Sequence, residues 1–162
     1  MPNKFAWMIF IMALVLYACD SNQVFDEYKS LPNQWPKDEV ISFNVTPPDS
    51  TKTYNLFINI RNTNAYKYSN LFLIVDMDFP HGKTITDTLE YQMAKPNGQL
   101  LGTGFTDVKE NKLWYKEAVK FEEAGTYKIN IQQAMRNNGD VNGVDNLEGI
   151  TDVGFRIEPT KN

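Results

Sequence analysis

The sequence predicts an all-β protein, a single β-sandwich that is jelly-roll-like, preceded by an N-terminal signal segment. Three observations predict it. Eight or so short stretches alternate apolar and polar residues with period two, the mark of strands buried on one face. Turn signals built on Pro, Gly, Asn and Asp separate these stretches, and no long amphipathic helix interrupts them. Aromatic residues make up 13% of the chain, with eight Tyr and ten Phe, and such side chains suit a pleated, half-buried surface. The chain has 162 residues, which without a leader is enough for one domain with a core and too few for two.

Met1-Pro2-Asn3-Lys4 starts the chain with one basic residue. The run from residue 5 to 18 is uncharged and almost wholly apolar. At about 14 residues it is too short to span a bilayer, which needs ~20, and suits a signal-peptide core. It ends at Leu16-Tyr17-Ala18-Cys19, which carries the chain's one cysteine. This arrangement resembles a bacterial lipoprotein signal, although Tyr17 departs from the small or aliphatic residue preferred there. The resemblance implies cleavage before Cys19 and lipidation of its thiol. An ordinary secretory signal with a stray cysteine and an uncleaved anchor are the alternatives. A single thiol offers no internal disulfide. The expected organisation is a signal peptide over 1–18, a lipidated tether and lead-in over 19–34, and the sandwich over 35–162. Lys4 leaves with the signal, so the mature balance is 15 basic against 20 acidic residues, net −5. An acidic domain without a basic block argues against nucleic acid as a partner.

Within the lead-in, Val24, Phe25 and Tyr28 could pin the chain to the domain, and Trp35-Pro36 opens the packed body. Ile41, Phe43 and Val45 alternate with Ser42 and Asn44 as a first strand, broken by Thr46-Pro47-Pro48-Asp49-Ser50. Tyr54, Leu56, Ile58 and Ile60 make the clearest alternation. Leu71-Phe72-Leu73-Ile74-Val75 is apolar at every position and is expected to be covered on both faces. Ile85, Leu89, Tyr91 and Met93 form the next strand, with Asp87 interrupting its face. Lys95-Pro96-Asn97-Gly98 is a hairpin turn. Leu100-Leu101 follows it, and Gly102-Thr103-Gly104 suggests a bend or bulge. Residues 106–117 settle on no single period, and a helical turn is allowed there. Val119 and Phe121 read as a short strand. Tyr127, Ile129 and Ile131, then Val153, Phe155 and Ile157, complete the set, with a Gly/Asn/Asp loop at 137–146 between them.

Few residues offer chemistry. His81 is the one histidine, in a Pro-His-Gly turn, and reads as an exposed turn residue rather than a catalytic base. No serine stands in a G-x-S-x-G context. Asp76 and Asp78 share a strand face; they could act as paired carboxylates or bind Ca²⁺, or simply meet solvent at a strand end. Asn138-Gly139-Asp140-Val141-Asn142-Gly143 imitates the start of an EF-hand loop. It has Asn in the first position and Gly149 where a bidentate Glu belongs, so Asp140, Asn142 and Glu148 are weak Ca²⁺ candidates and no metal is expected. Trp35, Tyr66, Tyr68, Trp114 and Tyr115 are flanked by loops and could stack on sugar rings, which makes a surface glycan-binding module the alternative function; equally they could close the ends of the sandwich. For a domain acting through contacts, Arg61, Tyr66, Tyr68 and Asn70 are the candidate partner residues, because Tyr and Arg are favoured at interfaces. Two strands would hold their loop, and a lid over the core is an equal reading for the two tyrosines.

Several segments together carry a family resemblance. Leu16-Tyr17-Ala18-Cys19 is followed by Phe25-Asp26-Glu27-Tyr28, Trp35-Pro36, and Ile58-Asn59-Ile60-Arg61-Asn62 running into Tyr66 and Tyr68-Ser69-Asn70-Leu71. Asp87-Thr88-Leu89-Glu90, Gly102-Thr103-Gly104, Gly125-Thr126-Tyr127, Gln133-Ala134-Met135-Arg136 and Gly149-Ile150-Thr151-Asp152-Val153-Gly154 complete the series. In this order they resemble the gliding-motility lipoprotein family GldH of the Bacteroidota. The resemblance implies a non-enzymatic envelope lipoprotein without a cofactor, anchored by an acylated Cys19. It implies a place among gliding-machinery proteins linked to type IX secretion, with the outer membrane as the expected location. Only Cys19 carries over as a functional residue.

Overall fold

The computed structural model describes residues 24–47, 49–104 and 106–160. Cys19, the signal segment and the first part of the tether lie outside the described residues. Ten strands follow one another: β1 (Phe25–Ser30), β2 (Gln34–Pro36), β3 (Ile41–Val45), β4 (Tyr54–Asn62), β5 (Asn70–Asp78), β6 (Thr84–Gln92), β7 (Lys109–Val119), β8 (Tyr127–Gln133), β9 (Asn146–Glu148) and β10 (Ile150–Pro159). One four-stranded sheet has the order β1-β10-β4-β7 and the other β3-β8-β5-β6, while β2 and β9 pair by themselves. All pairings are antiparallel. Consecutive long strands switch sheets everywhere except at the β5–β6 hairpin. This is the two-Greek-key order of a jelly roll, as the strand count and turn spacing predict.

The period-two pattern sets the core. Leu56, Ile58 and Ile60 of β4 and Val153, Phe155 and Ile157 of β10 face Phe43 and Val45 of β3, Ile129 and Ile131 of β8, and Leu71, Leu73 and Val75 of β5; each is at most 1% exposed. Burial of one such side chain is worth roughly 1.5–3 kcal/mol. Short β2 and β9 form a plug at one end, where Trp35 and Leu147 are fully buried and Trp35 Nε1 donates to the Glu39 carbonyl at 2.8 Å.

Four expectations are corrected. The packed body begins before Trp35: residues 25–30 of the expected lead-in form β1, paired along its length with β10, and Phe25 lies 6.2 Å from Phe155, ring to ring. β5 is central in its sheet but buried on alternate residues only, since a two-layer sandwich leaves no third layer to cover Phe72 and Ile74. Residues 109–119 form a long strand rather than a helical turn. Register shifts against β4 at residues 54–57 disturb the alternation there and hide the strand from a periodicity test. Phe121 belongs to no strand and plugs the core from the following loop, 5.0 Å from the Tyr127 ring.

The turn at 95–98 closes as expected. Gly98 takes φ +83° and donates to the Lys95 carbonyl at 2.9 Å. Gly102 and Gly104 also adopt positive φ, and Thr103 bridges Glu110 beside them.

Candidate functional site

The loop that joins β4 to β5 is a lid. Tyr66 is 3% exposed, its hydroxyl donates to the Asn70 carbonyl at 2.5 Å, and burial pushes its pKa well up. Gly149, at φ +89°, passes so close beneath the Tyr66 backbone that any Cβ there would collide with it. Tyr66 is therefore unavailable to a partner. Tyr68 is half-buried, packs edge-on against Tyr66 and donates to Asn137 Oδ1 at 2.9 Å. Asn70 donates to Glu90 at 2.8 Å. The four expected contact residues thus do not form one patch, and Arg61 points to a different surface.

That surface is the outer face of the β1-β10-β4-β7 sheet. Strand register lays it out in rows. Ser30, Asp152, Arg61 and Glu110 stand side by side; next come Tyr28, Gly154, Asn59 and Lys112; then Asp26, Arg156, Phe57 and Trp114; beyond them Glu158 pairs with Asn55. Without a side chain at Gly154 the Tyr28 ring lies flat on the sheet, and a Cβ there would stand 2.8 Å from it. The Arg61 guanidinium stacks on that ring at 4.1 Å and its Nε donates to Glu110 at 3.1 Å. Tyr28 donates to the other Glu110 oxygen at 2.7 Å and accepts from Asn59 Nδ2 at 2.9 Å. Burial and the Glu110 hydrogen bond push the Tyr28 pKa up. For Glu110, burial acts upward, but the hydrogen bonds from Tyr28 and Arg61 prevail and hold its carboxyl below the usual range.

The neighbouring rows are knit in the same way. Arg156 donates to Asp26 at 2.8 Å and to Glu158 at 2.6 Å, and Lys112 adds a second cation on Glu158 at 2.7 Å. Lys112 also rides over Phe57, 4.0 Å from the ring centroid. Phe57 is 4% exposed although it faces outward, because Trp114 covers it with centroids 4.5 Å apart. Trp114 itself is 55% exposed and overhangs a groove of about 430 Å³.

The other candidates go elsewhere. Trp35 is buried in the plug and so is no sugar platform. Tyr115 reaches between the sheets to Asp87 at 2.9 Å, where Lys116 also pairs with it at 2.7 Å; the residue that interrupts the β6 face is thus an inter-sheet clasp. Burial raises the Asp87 pKa, but these two donors outweigh it and leave it low. Asp76 accepts from Thr86 at 2.5 Å, and Asp78 from Thr84 and Asn130 at 2.7 and 2.8 Å, on the outer face of the β3-β8-β5-β6 sheet. His81 is exposed, with Nδ1 3.0 Å from Glu123. Asp140 and Asn142 are exposed in their loop, while Glu148 is held on β9 and pairs with Lys67 at 2.6 Å. No group of three or more His, Cys, Asp or Glu that could hold a metal occurs among the described residues. Sequence reasoning missed Tyr28, Phe57, Asn59, Glu110, Lys112, Arg156 and Glu158. Period two puts Phe57, Asn59 and Arg61 on one face of β4, but only strand register reveals their neighbours.

Fold and face together define a class: a jelly-roll sandwich with one organised outer sheet face. The chain belongs to the GldH lipoprotein family, whose model matches residues 23–157. It is 60% identical to a gliding motility lipoprotein GldH homolog of Christiangramia forsetii over the full length of both chains. It is 56% identical to the gliding motility lipoprotein GldH of Flavobacterium johnsoniae over 98% of each. Among solved structures, the VP2 subviral particle of infectious bursal disease virus is a loose likeness. That match has a TM-score of 0.41 and 14% identity, over 85% of this chain and 33% of that one.

Proposed function

We propose that this protein is a non-enzymatic lipoprotein of the cell envelope. It is held by an acylated Cys19 and acts through protein–protein contacts in gliding machinery linked to type IX secretion, at the outer membrane. The observation that carries this reading is the near-full-length identity to the gliding motility lipoprotein GldH of Flavobacterium johnsoniae. The outer face of the first sheet supports it, because preorganised Tyr and Arg side chains are what interface hot spots use. Its Tyr28–Arg61–Glu110 end is the contact surface.

The test is complementation of a gliding bacterium that lacks its own family member. The wild-type chain should restore spreading and cross-link to envelope proteins. Arg61→Glu, which sets two carboxylates against each other at Glu110, should reach the membrane in normal amount yet restore neither. Spreading and an unchanged cross-linking pattern with Arg61→Glu would reject this surface. Failure of the wild-type chain to restore spreading would reject the gliding role.

A further inference from the structure

The Trp114 groove is a second feature of the same face, separate from the Arg61 end. It is bordered by Asn55, Lys112, Glu117, Glu158 and Thr160. The indole is a fixed platform. Its underside is seated on buried Phe57, and its own carbonyl accepts from Tyr91 of the opposite sheet at 2.6 Å. Asn55 Oδ1 accepts from the Ala118 amide at 3.1 Å, which fixes the side-chain amide and leaves Nδ2 with no acceptor among the described residues. Glu117 is exposed and makes no ion pair among them. Its carboxylate oxygens and those of Glu158 supply acceptors along the rim.

We propose that this groove binds a neutral pyranose unit of a glycan, with Trp114 stacking on the sugar's C–H face and Asn55, Glu117 and Glu158 hydrogen-bonding its hydroxyls. A ring with one apolar face and a polar edge matches a ligand site that is an apolar surface carrying a few placed polar groups. The charge pattern selects a neutral sugar. Both Lys112 and Arg156 are already committed to Glu158, so no cation is left for an acidic ligand, and Glu117 repels one. The setting also favours a sugar over a protein. The other exposed large apolar residues among those described are Val24, Val40 and Val141, all on other segments. Trp114 is therefore the one exposed large apolar side chain at a groove that mixes Ala118 and Pro159 with polar residues, not the centre of a broad apolar patch such as a protein interface core needs. This site does not depend on the protein-contact reading.

The full-length lipidated chain, in a detergent without a sugar headgroup, is screened on an array of neutral and acidic glycans and then titrated by calorimetry with the neutral oligosaccharides retained. Binding should persist at high salt. It should weaken roughly tenfold or more in Trp114→Ala and survive in part in Trp114→Phe. Asn55→Asp keeps the acceptor for Ala118 and loses the donor, so it should bind several-fold more weakly with the fold intact. Arg61→Glu should bind as the wild type. Retention of acidic glycans alone, or of none, overturns the proposal. Equal binding by Asn55→Asp and by a folded Trp114→Ala also overturns it, as does a Trp114→Ala chain that loses envelope cross-links while the wild type binds no glycan.

Discussion

The two outer sheet faces are made on different terms. On the β1-β10-β4-β7 sheet, Phe57 and Asn59 point away from the core yet are 4% and 2% exposed, because aromatic rings and long cations lie over them. The β3-β8-β5-β6 sheet is wet by comparison. Phe72 and Ile74 are half-exposed, and the face is tied by short hydroxyl and amide links such as Ser42 to Asn130 at 2.7 Å and Thr84 to Asp78 at 2.7 Å. On the first face one polar atom, Asn59 Oδ1, is buried without a hydrogen-bond partner among the described residues, and that face alone covers its outward side chains with aromatic rings and long cations. Covered outward aromatics and chained ion pairs hold side chains in one geometry, which is what a recognition surface needs before its ligand arrives. The flat polar face has no such preorganisation, and its polar ties are those of a solvated sheet.

The difference should be largest in packing. Phe57→Ala is expected to cost ~3–5 kcal/mol, as for a buried aromatic, and Phe72→Ala on the other face distinctly less, both measured by denaturant unfolding of the purified chain. Equal losses would mean that the two faces are equivalent. Next come the ion pairs. Arg156→Leu strips Asp26 of its partner and Glu158 of one of two, and should cost roughly 1.5–3 kcal/mol, the range for hydrogen bonds to charged groups. On the second face, Thr86→Val removes only an exposed hydroxyl bond to Asp76, which water replaces, and should cost about 0.5–1.5 kcal/mol. The reverse ranking would put the stronger network on the wrong sheet.

The smallest effect is on pH dependence. Glu110 and Glu158 sit below their ordinary value of 4.5 in the folded state: burial opposes this, and their hydrogen bonds to Tyr28 and Arg61, and to Lys112 and Arg156, outweigh it. Depressed carboxylates add stability that is present above the unfolded value and lost as pH falls through the lower folded one. Stability should therefore decline as pH drops below that value. The double change Glu110→Gln with Glu158→Gln should flatten the acid limb of a melting-temperature profile. An acid limb as steep as the wild type's would show that these two groups are not its source.

Much of the fold was legible. Strands at Ile41–Val45, Tyr54–Asn62, Tyr127–Gln133 and Ile150–Pro159 follow from alternation that only one face can bury, and the turn at 95–98 follows from Pro, Asn and Gly in their proper places. β1 was not legible as a strand, because Glu27 and Lys29 lie on the same face as Phe25 and pair with each other at 2.5 Å; charge on an edge strand guards against further pairing and erases the alternation. β7 was hidden by its shifted register. Of the candidate site, Trp114 and Arg61 were visible as exposed or interface-type residues, but Tyr66 and Trp35 look the same in sequence and are core.

What the sequence determined by itself is therefore local and periodic: the sandwich class, most strands, the turns, and, through the order of its motifs, the family. What only the tertiary structure decided is which outward side chains meet. Tyr28, Arg61 and Glu110 come from three strands far apart in the chain, and Phe57 of β4 meets Lys112 and Trp114 of β7. Their adjacency depends on the antiparallel register of β1, β10, β4 and β7, and a shift of one residue would turn each of them to the other side of the sheet.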